Sequence, residues 1–379
     1  MRRRGPSLAA LALLLLTSCS VGPPKPQPAP VEIAIDLPFT GPQAADAAAA
    51  LAQARFVIER TFGGKVEGLP IRVRLLDDSP AGRRDPIEAA HQLSLALSSP
   101  SLLGVVGPLD SDVAAAEIPV VTGAHLAMVS PTASNACLTR PLPECDGLSQ
   151  RLRPSGPPSF FRLAPPDDGE ASALVQFALG HLHSTSFAVG SDGQAYGTAV
   201  KSRFDAALSR QHRNAVYSAD FDPTSTSAVD AFLAAAKQAG ADTVLFGGRP
   251  GGGACRIAPR LAAGLGAQAN LLGSGLQAAP CETDAGAAAP SVYTVGEGSP
   301  EDAGIATRVL LDAIAAAIKQ QGGNLPSREQ VRAAVSQSRR VAFDAYGDPV
   351  NGTYTIYRGK APAADATTSV WDVAGTAGA

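Results

Sequence analysis

Small polar residues that can bind an anion follow two successive predicted strands. Ser111 begins the segment after Leu102–Val106, and Ala133 and Ser134 follow Leu126–Ser130. Unpaired backbone N–H groups at the start of a helix, together with a serine hydroxyl, can receive a carboxylate. Serine is also a good helix N-cap when no ligand is bound. These residue types therefore predict either a carboxylate site at the two strand ends or two ordinary helix caps.

Two further loops carry side chains that could contact a ligand. Tyr196 follows the predicted strand Ser186–Val189, and its ring could cover an apolar group while its hydroxyl binds a polar one. Arg249 lies just after Gly247 and Gly248, where an arginine would favour a negative or carbonyl-rich ligand. Tyr196 could instead pack against a helix N-terminus, and Arg249 could be a solvated loop side chain. The residues alone leave both interpretations open.

No residue pattern typical of an enzyme or a metal site is present. The five histidines form no His-Glu-x-x-His motif, and no Gly-x-Ser-x-Gly turn positions a nucleophilic serine. The glycines that follow Phe246 lack the spacing of a dinucleotide-binding loop. Asp77 and Asp78 are neighbours whose side chains should point apart, so we interpret them as a loop signature and helix cap. We therefore predict no catalysis, no cofactor and no bound metal.

The charge and hydropathy of the chain exclude two classes of protein. Its 379 residues carry a formal net charge of −3 and contain no basic tract of the kind that binds nucleic acid. Beyond the N-terminal region, no apolar stretch is long enough to cross a membrane. A chain of this length predicts two domains more readily than one.

The N-terminus has the features of a lipoprotein export signal. Arg2–Arg4 form a basic start, Leu8–Leu16 form an apolar run, and Leu16–Cys19 match the bacterial lipobox. The run is too short for a bilayer core, which needs about 20 residues. We expect cleavage of residues 1–18, which changes the formal charge from −3 to −6 because three arginines are lost, and acylation of Cys19. An ordinary secretory signal with a chance cysteine is the alternative.

Residues 19–30 predict a lipid anchor followed by a stalk. Five of these residues are proline, and proline favours an extended, semi-rigid polyproline II conformation. The folded body would then be held just away from a membrane surface.

The remaining cysteines predict disulfides. There are four beyond Cys19, and an even number suits an oxidising compartment. Three pairings are possible, and the most local one joins Cys137 to Cys145 and Cys255 to Cys281. Zinc binding is the rival interpretation, but no Cys-x-x-Cys pair supports it.

The rest of the chain alternates between strand and helix patterns. Strands are predicted at Val31–Leu37, Ile71–Asp77, Leu102–Val106, Leu126–Ser130, Ser186–Val189, Ala215–Ser218, Thr243–Phe246, Asn270–Leu272, Gly352–Tyr357 and Thr368–Val373. Helices are predicted at Ala44–Thr61, Pro86–Leu97, Gly169–Leu182, Tyr196–Ser209, Ala228–Ala239, Cys255–Gly264, Asp302–Gln320 and Ser327–Ser336. This alternation predicts an α/β fold of two Rossmann-like lobes, with parallel sheets covered on both faces and functional loops at the carboxyl ends of the strands.

Seven loop motifs occur in order along the chain. They are Asp36–Pro42, Leu76–Pro80, Gly104–Pro108, Ser130–Asn135, Asp192–Gly197, Phe246–Gly248 and Phe343–Asp348. Together they resemble the type I periplasmic solute-binding proteins, in the branched-chain amino-acid receptor group (Leu/Ile/Val-binding protein-like) of ABC transporters. The resemblance covers nearly all of the mature chain. It implies two lobes joined by a multi-strand hinge, with residues 31–162 and 296–350 in the N-terminal lobe and residues 163–295 and 351–379 in the C-terminal lobe.

The resemblance also implies roles for particular residues. In that family, the residues matching Ser111, Ala133 and Ser134 grip the ligand's α-carboxylate, and a tyrosine matching Tyr196 closes over the ligand. Arg249 occupies a position where the family often presents another pocket residue.

The sequence departs from the family at Gly275. Amino-acid receptors usually have an acid there that pairs with the ligand's ammonium group, and glycine cannot form that pair. Asp110 or Glu282 could substitute from nearby loops. A carboxylate, an amide or an aromatic acid is therefore an open alternative to an ordinary amino acid.

Two functions of different class follow from these observations. The first is a monomeric, lipid-anchored receptor of an ABC importer that captures a small carboxylate-bearing solute between its lobes and then docks on the permease and ATPase subunits. The second is a tethered ligand sensor or protein-interaction module with the same fold. Both place the protein outside the cytoplasm, at the cell membrane, on the periplasmic or outer cell surface.

Overall fold

The computed structural model describes residues 29–248, 256–273, 292–296, 298–359 and 371–378. Within these ranges the strands form a six-stranded sheet and a seven-stranded sheet, and helices pack against both. The predicted α/β fold class with two mostly parallel sheets is confirmed.

The first sheet has the strand order β2-β3-β1-β4-β5-β6. Its strands are β1 (Val31–Leu37), β2 (Lys65–Val66), β3 (Leu69–Asp77), β4 (Leu102–Val106), β5 (Ala127–Ser130) and β6 (Phe160–Arg162). Strand β2 is antiparallel to β3, and all other neighbours are parallel. The carboxyl ends of the parallel strands therefore meet at one edge of this sheet.

The second sheet has the strand order β13-β12-β11-β10-β9-β7-β8. Its strands are β7 (Phe187–Ser191), β8 (Ala215–Asp220), β9 (Thr243–Gly247), β10 (Asn270–Gly273), β11 (Val292–Val295), β12 (Thr353–Gly359) and β13 (Trp371–Gly378). Strands β7 to β11 are parallel, whereas β12 and β13 complete the sheet in antiparallel pairing.

Helices cover both faces of the first sheet. The helices of the described chain are α1 (Ala44–Phe56), α2 (Pro86–Ala96), α3 (Ser111–Gly123), α4 (Leu148–Leu152), α5 (Glu170–Gly180), α6 (Ala195–Arg210), α7 (Thr226–Gln238), α8 (Ala258–Leu265), α9 (Ala303–Gln320) and α10 (Arg328–Ser336). Helices α1, α9 and α10 share a core with Ile33, Ile35 and Leu37 of β1. Helices α2 and α3 share the opposite core with Ala34. Both faces of β1 are buried, as expected for a central parallel strand.

Side-chain caps fix the starts of several helices. The Asp85 carboxylate accepts a hydrogen bond from the Glu88 N–H at 3.0 Å, and Pro86 occupies the first turn of α2. Ser327 and Gln330 form a reciprocal capping box at α10, with N–H to oxygen distances of 3.2 and 2.8 Å. These local signals explain why the helix starts could be predicted closely.

The chain passes from the first sheet to the second after β6, returns to helices on the first sheet after β11, and passes to the second sheet again after α10.

The structure corrects the sequence prediction in several details. Strands β2, β6 and β11 were not predicted, because segments of 2 to 4 residues carry little periodic signal. Helices α3 and α4 were not predicted either; α3 contains Pro119, a residue that usually ends a helix, and α4 has only 5 residues. The predicted helix Ala44–Thr61 ends in a π-helical turn from Val57. Among the described residues, no helix has the length and apolar character needed to cross a membrane.

Candidate functional site

The loops after β4 and β5 lie side by side at the carboxyl edge of the first sheet. The Ser130 hydroxyl donates a hydrogen bond to the Pro108 carbonyl at 2.7 Å, and the Thr132 hydroxyl donates to the Leu109 carbonyl at 2.7 Å. Both bonds are buried. They hold the start of α3 against the loop that contains Ala133 and Ser134.

Ser111 joins the two loops directly. It is the first residue of α3, and its hydroxyl oxygen accepts a hydrogen bond from the Asn135 N–H at 3.2 Å. The structure thus brings Ser111 within one residue of Ser134, as expected from the parallel strand order. The Ser111 hydroxyl has no acceptor for its own proton among the described residues, so it can donate to an anion.

Ser134 is buried but has an unused hydroxyl. Its side chain makes no hydrogen bond within the described part of the chain, although the residue is only 6% exposed. Its carbonyl accepts from the Asp167 N–H at 2.8 Å. The hydroxyl oxygen itself keeps some contact with solvent, so this group is available to a ligand at the strand end.

Ala133 contributes less than its neighbours. Its N–H already donates to the Ser130 hydroxyl at 3.0 Å, and its carbonyl accepts from Arg162 at 3.2 Å. The predicted N–H of Ala133 is therefore engaged within the protein, and the two serine hydroxyls remain as donors.

A buried ion-pair network that sequence reasoning missed supports this loop. Arg162, at the end of β6, is fully buried and donates to the carbonyls of Ala133 and Asn135, the latter at 2.7 Å. Its Nε pairs with a carboxylate oxygen of Asp348 at 2.7 Å. Arg140 pairs with the other Asp348 oxygen at 2.8 Å. The arginine in an otherwise apolar strand was the available sequence signal.

The charges of this network satisfy one another. Burial alone would raise the pKa of the Asp348 carboxyl, but Arg162 and Arg140 outweigh burial and hold that pKa below its ordinary value. Asp348 therefore remains ionised at neutral pH. Arg162, paired with Asp348, holds the Ala133–Asn135 segment through its hydrogen bonds to the two carbonyls.

A disulfide closes the segment that follows this loop. Cys137 and Cys145 are bonded, with their Cα atoms 5.2 Å apart, which is the local pairing that the sequence favours. Cys255 and Cys281, the other predicted pair, lie outside the described residues, as does the predicted lipidation site Cys19.

Asp110 lies at the same carboxyl edge of the first sheet. It is the residue before α3, but its side chain does not cap the helix. One carboxylate oxygen pairs with Arg84 at 2.8 Å, while the other is buried with no hydrogen-bond partner in the described chain. Burial raises the pKa of Asp110, and the Arg84 charge opposes that rise.

Behind Asp110 lies a cluster of three acids, Asp36, Asp78 and Glu117, which we call the acidic cluster. All three are fully buried. Burial is the largest cause of their shifted titration: it raises the pKa of Asp36 well above its ordinary value, that of Asp78 to about 7 and that of Glu117 to about 8. Glu117 and Asp78 raise the pKa of Asp36 further, whereas the acids that raise the pKa of Asp78 are Asp110, Asp77 and Asp112, outside the cluster.

Tyr196 lies at the corresponding edge of the second sheet. It is the second residue of α6, after β7, and its half-buried ring packs against the core of that sheet. The next residue, Gly197, has no room for a side chain, because a Cβ atom there would lie 2.8 Å from the Gly247 carbonyl oxygen. Arg249, Gly275 and Glu282 lie outside the described residues, so their predicted roles gain no structural description.

The chain was compared with known proteins. Residues 30–350 match the model of the family described as periplasmic binding protein. No curated protein sequence is significantly similar to the chain.

Several solved structures share its fold. A leucine-binding protein, LivK, from Thermotoga maritima is 18% identical, with a TM-score of 0.61 over 92% of this chain and 98% of that one. A substrate-binding protein from Desulfitobacterium hafniense, in complex with Leu, is 15% identical, with a TM-score of 0.64 over 90% and 99%. A solute-binding protein from R. palustris, in complex with benzoate, is 18% identical, with a TM-score of 0.57 over 92% and 97%.

Proposed function

Because this chain belongs to the periplasmic binding protein family, which it matches over residues 30–350, we propose that it captures a small carboxylate-bearing solute for an ABC importer. The family is one of binding proteins, which agrees with the absence of enzyme motifs in the sequence. The observation that carries the proposal is the contact between Ser111 and the Ser134 loop through the Asn135 N–H, at 3.2 Å.

The chemistry of the two serines favours a carboxylate. Each has a hydroxyl proton with no acceptor among the described residues, and Ser111 lies at the N-terminus of a 13-residue helix. A helix N-terminus is electropositive and favours anions. Two hydroxyl donors beside it suit the two oxygens of one carboxylate.

The solutes in the related structures narrow the class. The T. maritima protein is named a leucine-binding protein, the D. hafniense protein is in complex with Leu, and the R. palustris protein is in complex with benzoate. Leucine and benzoate share a carboxylate, whereas only leucine has an ammonium group. Since Gly275 cannot supply the usual acid, an amide or aromatic acid is as compatible with this site as an amino acid. Asp110, which immediately precedes Ser111, is the described acid that we propose could pair with an ammonium group.

Capture would involve both lobes. We assign residues 31–162 and 296–350 to the lobe that holds the carboxylate, and residues 163–295 and 351–379 to the lobe that supplies Tyr196 and Arg249. Closure about the connecting segments would bury the solute and form the surface that docks on the permease. The protein is proposed to act as a monomer.

The N-terminus suggests how the protein is retained. Acylation of Cys19 would anchor the mature chain, and residues 19–30 would form its stalk. Labelled palmitate should be incorporated into the full chain and not into Cys19→Ala. Equal labelling of both would rule out the lipoprotein assignment.

A thermal-shift screen tests the receptor function. Residues 20–379 would be melted with amino acids, amides, dicarboxylates, aromatic acids and small peptides. A solute at 100 times its dissociation constant adds about 2.7 kcal/mol to the free energy of unfolding. If no compound raises the melting temperature of the folded monomer, a sensor or protein-interaction role replaces the receptor role.

Two variants test the proposed site once a solute is found. Ser111→Ala and Ser134→Ala should each weaken binding by about 1 to 3 kcal/mol, because each removes a hydrogen bond to a charged oxygen. Ser94→Ala is the matched control, since Ser94 is exposed on α2 and bonds only within its own helix, to the Ala90 carbonyl at 2.8 Å. Unchanged affinity in both site variants, measured by calorimetry, would contradict the assignment.

A further inference from the structure

Two carboxyl groups of the acidic cluster face each other between the central strand and the helix that carries Ser111. Asp36 lies near the end of β1 and Glu117 in the second turn of α3, and both are fully buried. Asp36 is two residues after Ala34 and shares its face of β1, and Glu117 lies on the same face of α3 as Ala114 and Val121. Since Ala34, Ala114 and Val121 belong to one core, the two carboxyl groups lie on facing surfaces. No donor in the described chain reaches any of their four oxygens.

The surroundings of this pair are acidic. The charges of Asp77 and Asp78, at the end of β3, raise the pKa of Asp36, and the charge of Asp78 also raises the pKa of Glu117. Asp110 and Asp112 raise the pKa of Asp78, and Arg84 lowers it. Arg84 is the cation of this group, and it is already paired with Asp110 at 2.8 Å and Asp112 at 3.1 Å. The pair therefore has no counter-charge of its own among the described residues, and no metal-binding cluster is found there.

Two buried carboxylates in contact cannot both be ionised without a large cost. Removing a carboxylate from water costs several kcal/mol even after relaxation, and like charges in contact add to that cost. One proton removes the conflict, because the protonated carboxyl donates to the ionised one. Such a bond also satisfies oxygens that are otherwise buried without partners.

We propose that Asp36 and Glu117 share a proton that holds α3 against β1, so that loss of this proton in alkaline solution displaces the first turn of α3 and weakens solute binding. The binding half of this inference rests on the receptor function proposed above. Glu117 lies within the same helix as Ser111, and Asp36 contacts the loop before that helix, since any side chain at Gly107 would collide with the Asp36 backbone.

The sign of the pH dependence follows from the titration of the pair. The pKa of Asp36 is well above its ordinary value, and that of Glu117 is about 8. The unfolded chain loses these protons near pH 4, whereas in the folded chain both pKa values are raised, that of Glu117 to about 8, so the pair still holds at least one proton at neutral pH. The stabilising contribution is therefore complete below pH 4 and is lost progressively as the pH rises to about 8.

Unfolding of the purified mature chain without solute tests the shared proton. The ratio of the wild-type unfolding constant to that of Asp36→Asn/Glu117→Gln should increase with pH. Between pH 5 and about 8, this increase should be about tenfold per pH unit. Glu59→Gln, an exposed acid on the π-helical turn, should keep the wild-type slope. Equal slopes for the wild type and the double variant would overturn the inference.

Infrared spectroscopy provides a test on the wild-type chain alone, in case the double variant does not fold. A buried protonated carboxyl group absorbs separately from carboxylates, and this band should be present at pH 7 and disappear near the alkaline end of the transition. A spectrum without that band at pH 7 would overturn the shared proton.

Measurements of solute affinity test the proposed link between the shared proton and solute binding. With a solute from the screen, the wild-type dissociation constant should rise at least several-fold between pH 6 and pH 9. That of the double variant should rise less, because only Asp78, whose pKa is about 7, still titrates in the acidic cluster. Parallel pH profiles would overturn the link between the pair and the site. If no solute binds at any pH, the receptor function fails, while the unfolding and infrared results still decide whether the proton is shared.

Discussion

Buried acids have opposite surroundings at two places beside the first sheet: one is paired with arginine, and the others lie among further acids. Around Arg162, a fully buried arginine and a fully buried aspartate, Asp348, pair at 2.7 Å. In the acidic cluster, Asp36 and Glu117 are buried just as completely but contact each other. The first arrangement lowers the pKa of its acid and the second raises it.

The contrast implies opposite responses to pH. Asp348 contributes stability above its ordinary pKa of about 4, and this contribution is lost as the pH falls through its still lower folded value. The pair of Asp36 and Glu117 contributes stability that is lost as the pH rises towards about 8. A paired charge therefore fixes the loop that carries Ser134 at every physiological pH, whereas the support of α3 and Ser111 can titrate.

The largest expected effect comes from breaking the paired network. Arg162→Met should lower the free energy of unfolding by about 3 to 5 kcal/mol, because a buried carboxylate loses its closest counter-charge. It also removes the donors to the carbonyls of Ala133 and Asn135. Denaturant titration at pH 7 would measure the loss, and Arg140→Met should cost less because that side chain is 31% exposed.

The double variant Arg162→Met/Asp348→Leu sharpens the same prediction. Removing both charges should recover part of the stability lost in Arg162→Met, since no unpaired carboxylate remains. If the single variant were as stable as the wild type, Asp348 would not depend on Arg162, and the two charge clusters would not differ as described.

Much of the fold, but little of this contrast, could be predicted from the sequence. Apolar periodicity predicted most strands and helices but not α3, the helix that starts at Ser111, and Cys137–Cys145 belonged to the most local of three possible pairings. The partners of Arg162 could not be predicted, because Asp348 lies 186 residues away and only the folded sheet brings them together. Glu117 occurs in an apolar helix without any local signal of its contact with Asp36.

An intermediate effect is expected from the disulfide that closes the segment after Ser134. Cys137→Ser/Cys145→Ser opens a loop with a sequence separation of 8 residues, and a loop of this size contributes about 2 to 3 kcal/mol. Denaturation with and without reductant would measure this loss. The alkaline slope assigned to Asp36 and Glu117 should persist, since neither cysteine is among the groups that act on them. A changed slope would mean that the two regions are coupled.

The smallest effect is expected at Arg84, the cation at the edge of the acidic cluster. Its charge lowers the pKa of Asp78 and Asp110 against the effect of burial, so Arg84→Gln should move both titrations upward. Its pairs are partly exposed, with the Arg84 side chain 36% accessible, and such pairs contribute less than about 1 kcal/mol. Unfolding at pH 7 in low and high salt would measure the change, which salt should reduce. A loss as large as that of Arg162→Met would instead identify Arg84 as the counter-charge of the buried acids. The acidic cluster would then be a second paired network, and the titratable support of α3 would have to be abandoned.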